Sequence, residues 1–104
     1  MSELPKAYRR FRDTFPELEA AWDATRGAEE HGPLDLRTRR LVKLAIAIGA
    51  ERSGTVRSAA RKALAAGVTR EELLHVVAQA PSTLGFPGTV AVLDWIDDVL
   101  EGGG

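Results

Sequence analysis

Few side chains in this chain are equipped for bond-making chemistry. There are two histidines, His31 and His75, and no cysteine. The missing thiol removes disulfides, thiolate metal ligands and thiol redox steps from this polypeptide. His75 has Glu71 and Gln79 four residues to either side. That spacing gives a polar stripe on a helix, and a solvated face is the commoner reading of such a stripe than catalysis. His31 precedes Gly32-Pro33 and reads as a solvated loop histidine. Two histidines so placed offer no transition-metal site, and neither a metal nor another cofactor is expected. As general bases, Glu51 and His75 are the best available, and neither sits in a motif.

The elements that would position these groups read as helices. Alanine is abundant, β-branched runs are scarce, and no period-2 alternation occurs, so an all-α fold of about six helices is expected. Residues 3–14 form the first, with Leu4, Tyr8 and Phe11 on one face. Thr14-Phe15-Pro16-Glu17 looks like a helix start, with Thr14 as cap, and Leu18, Ala21, Trp22 and Thr25 follow at helical spacing. Gly27–Leu34 is a loop region. Asp35 or Thr38 caps a third helix whose run Leu41–Ile48 is apolar nearly all round, which marks it as central. Ser53 or Thr55 caps a fourth helix that ends at Gly67 and pairs with the third as a hairpin. Thr69-Arg70-Glu71-Glu72 is a capping box for a fifth. Its expected core face is Leu73, Val76, Val77, Ala80 and Leu84, with a kink at Pro81. Gly85-Phe86-Pro87-Gly88 interrupts the chain before a last helix over 89–101. That helix is expected to bury Leu93, Ile96 and Leu100, with Trp95 divided between the core and a subunit interface. Residues 1–101 are expected to make a single domain, and 102–104 a flexible glycine tail.

Composition narrows the partners. The net charge of −1 argues against nucleic acid or an anionic membrane surface. Arg37, Arg39 and Arg40 have no interleaved aromatics and read as a solvated helix start. The longest apolar run is too short to span a bilayer, and the N-terminus shows no signal-peptide pattern, so a cytoplasmic location is expected. There is no asparagine and a single glutamine, Gln79. Together with the many charged residues, this suits a thermostable protein or Ala/Arg-rich genomic bias.

Over most of its length, roughly residues 33–100, the chain resembles the carboxymuconolactone decarboxylase / AhpD-like alkylhydroperoxidase family. The resemblance rests on Gly-Pro-Leu-Asp (32–35), the apolar helix from Arg40, Ala-x-x-x-Gly-Val-Thr-x-Glu-Glu (63–72) and Gly-Phe-Pro (85–87). It implies an AhpD-like helical bundle and a homo-oligomer. Redox-active members carry a glutamate, two cysteines and a histidine, at the positions that here hold Arg40, Arg52, Thr55 and Ala59. There a thiol at a helix N-terminus is acidified and a His–Glu pair relays protons. Decarboxylase-type members usually keep the histidine, and this chain does not. The resemblance therefore implies the fold without the catalytic residues.

Two functions follow as expectations. One is a non-catalytic helical assembly, natural or engineered as a scaffold. The other is an enzyme acting on a small carboxylate or lactone, with Arg40, Arg52 and Arg57 as an anion site. The last helix carries Val90, Val92, Leu93, Trp95 and Ile96 over more than one face, so a trimer or a hexamer built from dimers is expected.

Overall fold

A computed structural model describes residues 6–102, and these form six helices and no strand. The expected start of the first helix at residue 3, Leu4 on its face, and Gly103-Gly104 lie outside the described residues. The chain divides into two compact units, Met1–Pro33 and Leu34–Gly104.

The first unit contains α1 (Lys6–Thr14) and α2 (Pro16–Glu30). Thr14 does not cap α2, contrary to the sequence expectation. It completes α1, and Phe15 occupies the N-cap with no side-chain bond. Pro16 in the first turn starts α2 without a polar cap, because its missing N–H has no helical partner there in any case. The Phe11 and Phe15 rings lie 5.6 Å apart across the junction. Arg12 donates to Glu19 at 2.6 Å, which ties the two helices together.

The second unit contains α3 (Leu36–Ala50), α4 (Ser53–Ala65), α5 (Arg70–Ala78) and α6 (Pro81–Leu100). Asp35 caps α3, its carboxylate accepting from the Thr38 N–H at 2.8 Å. This bond is the first cause of a lowered Asp35 pKa. The α3–α4 hairpin forms as expected, and α4 also packs along α6. Helix α4 ends with Gly67 at φ +92. The Val68 N–H reaches back to Ala63 O at 3.0 Å and the Gly67 N–H to Leu64 O at 3.1 Å. This six-to-one and five-to-two pattern uses two otherwise orphaned carbonyls and brings Val68 into the core.

The core gathers Leu44, Ala47 and Ile48 from α3, Val56, Ala60 and Ala63 from α4, Leu73 and Val77 from α5, and Val92, Ile96 and Val99 from α6. Alanines at the α4 positions let its neighbours approach closely. Three expectations change here. Helix α3 is buried along one side only, with Val42 and Ile46 exposed opposite. On α6 the buried row runs through Val92 rather than Leu93, which is exposed, while Trp95 is half-buried against the core. Pro81 does not kink α5. Helix α5 stops at Ala78, and Pro81 opens α6, taking Leu84 with it. A new first turn is where proline costs least.

Within α6 the helical path breaks at Gly85, which has φ 76 and ψ 169. The expected interruption at 85–88 is therefore one residue wide. The helix restarts at Phe86, so Pro87 again falls in a first turn and removes no needed hydrogen bond. Thr89, a buried polar residue, donates its hydroxyl to Gly85 O at 2.8 Å.

Candidate functional site

The turn between α3 and α4 sets the site. Helix α3 closes on Glu51, whose N–H reaches Ile48 O at 3.0 Å. Glu51 has φ 54 and ψ 39, the sole left-handed non-glycine among the described residues. That backbone costs a non-glycine residue roughly 1–2 kcal/mol. Its carboxylate extends to the restarted part of α6: a Cβ placed on Gly88 would lie 3.2 Å from Glu51 Oε2. The acid therefore sits against the positive end of a helix, a favourable place for a negative charge.

Arg52 follows as the N-cap of α4, with φ −102 and ψ 109, and it makes no side-chain cap bond. The expected caps, Ser53 and Thr55, instead lie inside the first turn. Counting from the cap, Thr55 is the third helical residue. The two positions that the sequence resemblance assigns to thiols, Arg52 and Thr55, are thus the N-cap and third residue of a helix, where orphan N–H groups and the dipole would favour a thiolate. The backbone supplies that environment, and the side chains present cannot use it. Arg52 brings a cation to the positive helix end, Thr55 is exposed, and Ala59 is half-buried against the core.

The arginines are dispersed. Arg40 is half-buried near the start of α3, ten residues before its end, so roughly 15 Å of helix rise separates it from the Arg52 turn. Arg57 spans to α6, donating Nη2 at 2.7 Å and Nε at 3.3 Å to Oδ2 of Asp98. An external carboxylate would have to displace Asp98 before Arg57 could hold it. Arg37 is not a merely solvated helix start: it pairs with Glu72 and joins the beginnings of α3 and α5. Glu72 also closes the expected capping box, accepting from the Thr69 N–H at 2.9 Å while its own N–H donates to Thr69 Oγ1. The Arg37 hydrogen bond first, and the Thr69 N–H second, hold the Glu72 carboxyl down to about 2. Sequence reasoning missed the Arg37 and Arg57 pairs, whose partners lie 35 and 41 residues away.

His75 is exposed on α5, and its carbonyl accepts from the Gln79 side chain at 3.2 Å. No hydrogen bond among the described residues joins it to Glu51. His31 is exposed. The described residues contain no group of three His, Asp or Glu side chains able to hold a metal.

A cleft of about 330 Å3 runs between α3, α5 and the start of α6. Leu41, Ala45, Ile48, Val76 and Leu84 make its wall apolar, and Gln79 and Thr83 are its polar side chains. None of Arg40, Arg52 and Arg57 lines it. The cleft suits an apolar group better than a carboxylate.

The model of the carboxymuconolactone decarboxylase family matches residues 16–98, most of the chain. The chain belongs to the carboxymuconolactone decarboxylase family. No curated protein and no solved structure gave a match. The match takes in α2 through most of α6, including the α3–α4 turn with Arg52, Thr55 and Ala59. Among the described residues of this family member, no helix is long and apolar enough to cross a membrane.

Proposed function

We propose that this carboxymuconolactone decarboxylase family member works without catalysis, as a self-associating helical subunit forming a trimer or a hexamer. One observation carries the reading. The α4 start offers the geometry for an activated thiol, and every side chain there lacks the chemistry to exploit it. Arg52 sits at the cap, Thr55 follows, and Ala59 stands one turn on. Exposed apolar side chains support self-association: Phe86 and Val90, one turn apart on α6, are 77% and 64% exposed, and Ile46 on α3 is 64% exposed. Soluble monomers seldom leave such side chains open in contiguous patches. Light scattering after size exclusion at micromolar concentration tests the assembly, and a single species near the 11.2 kDa chain mass refutes it. A hydroperoxide assay tests the catalytic half, with turnover above the buffer blank as the contrary result.

A second reading, an enzyme for a small carboxylate or lactone, draws on Glu51. Backbone strain concentrates at functional positions, and Glu51 is the strained acid of this turn. A turnover assay with small lactones and carboxylates separates the two: turnover lost in Glu51→Gln favours the enzyme.

A further inference from the structure

The cleft between α3, α5 and the start of α6 is built wholly from residues of the second unit. Its volume of about 330 Å3 falls at the small end of the range for ligand pockets, roughly 300–1,000 Å3. Leu41 and Val76 stand at one end, one turn beyond the Arg37–Glu72 pair that ties the two helix starts together. Ile48, Gly49 and Leu84 stand at the other. No lining residue carries a charge. The polar side chains on the rim can accept hydrogen bonds. Gln79 turns its Nε2 to His75 O at 3.2 Å, which leaves Oε1 as an acceptor, and Thr83 brings a hydroxyl.

The Leu84 end meets Glu51. A Cβ on Gly88 would lie 3.2 Å from Glu51 Oε2 and 3.4 Å from Leu84 Cβ, so the carboxylate stands beside the cleft wall. Three observations mark this acid as placed rather than incidental. Its backbone is left-handed, with φ 54, and strain of this kind persists where the surroundings over-determine it. Residue 88 is glycine, and any side chain there would press on the carboxylate. The carboxylate makes no ion pair among the described residues, either with its chain neighbour Arg52 or with any other cation. The restarted part of α6 turns partial positive charge towards it and supplies no counter-ion.

We propose that the cleft and Glu51 together form a binding site for a small apolar amine, its hydrocarbon body between α3 and α5 and its ammonium on the Glu51 carboxylate. The walls select this class of ligand. Uncharged apolar side chains take up the body, and the unpaired acid at the end is complementary to one cation. Thr83, one residue before Leu84, offers a further acceptor at that end. An acid of the same shape would bring a second negative charge to Glu51 and is rejected. A subunit that assembles without catalysis can hold such a ligand, so the site stands apart from the assembly reading.

The test uses the full chain and calorimetric titration at neutral pH, with three probes of similar shape: phenethylamine, phenethyl alcohol and phenylacetate. The amine should bind saturably and about tenfold more tightly than the alcohol, the worth of one charge-assisted bond at a partly exposed carboxylate. Phenylacetate should give no saturable heat. Glu51→Gln should keep the affinity for the alcohol and bind the amine no better. Ala45→Phe should abolish both, since Ala45 is exposed within the cleft and a ring there fills it without entering the core. Val42→Phe, an enlargement on the exposed side of the same helix, should leave binding unchanged. The site is overturned if the amine does not bind, if the wild-type chain holds the alcohol or phenylacetate equally well, or if the preference for the amine survives Glu51→Gln. Binding that persists in Ala45→Phe, or that is lost in Val42→Phe, overturns it as well.

Discussion

Arg52 occupies the N-cap of α4 with the extended backbone a capping residue needs, and it has the wrong side chain. Replacing it with Ser should stabilise the protein. A hydroxyl there can accept from the N–H of Gly54 or Thr55, groups that the first helical turn leaves without internal partners. Restoring a cap is worth about 1 kcal/mol, within a range of roughly 0.5–2. Removing the guanidinium from the positive helix end adds about 0.3–1 kcal/mol at an exposed position. The sum is about 1–2 kcal/mol, and each kcal/mol raises Tm by roughly 4–8 °C in a domain of this size. Arg52→Asp should gain less than the simple sum, because Glu51 sits next to it. Arg52→Ala removes the cation and adds no acceptor, so it isolates the electrostatic part. The assay is thermal unfolding followed by far-ultraviolet circular dichroism at one fixed protein concentration, since assembly also moves Tm. A Tm for Arg52→Ser equal to or below that of Arg52→Ala would refute the reasoning, because the cap would then contribute nothing.

Two further outcomes follow from particular residues. Glu72 titrates at about 2 in the folded chain against 4.5 ordinarily, so its bonds to Arg37 and Thr69 add stability that is complete above pH 4.5 and lost as pH falls towards 2. Glu72→Gln keeps a side chain able to close the capping box while deleting the charge, and should flatten the fall in denaturant midpoint between pH 4.5 and pH 2; an unchanged acid limb would exclude Glu72 as a contributor. Gly85→Ala should cost about 1–3 kcal/mol, because φ 76 with ψ 169 is a region that glycine alone occupies readily. Its Cβ would meet only Pro87 Cδ at 4.0 Å, so the loss would be backbone strain rather than a clash, and a neutral urea midpoint would argue against the break at this residue.

The sequence alone determined whatever depends on residues a few positions apart. The all-α class, the narrowing of the α3 cap to Asp35 or Thr38, the Thr69–Glu72 box and the Gly67 stop all rest on bonds spanning five residues or fewer. The missing chemistry was legible too, since a chain without cysteine needs no fold to lack a thiol. Local signals misled where two were equally good. Thr14 and Ser53 are sound caps by type, but the chain entered those helices one residue from each, at Phe15 and Arg52. Proline at 81 and 87 marked a disruption without saying whether a helix bends or begins. Tertiary structure decided the rest. A helix apolar on several sides can bury any of them, and packing against α4 and α5 chose the Leu44–Ile48 side of α3 over Val42 and Ile46. Likewise only the fold could place Asp98 on Arg57 and Glu72 on Arg37, because a charge pair 35 or 41 residues apart leaves no periodicity in the chain. The strain at Glu51 is of the same kind: its side chain favours no left-handed turn, and the short link between two packed helices imposes one.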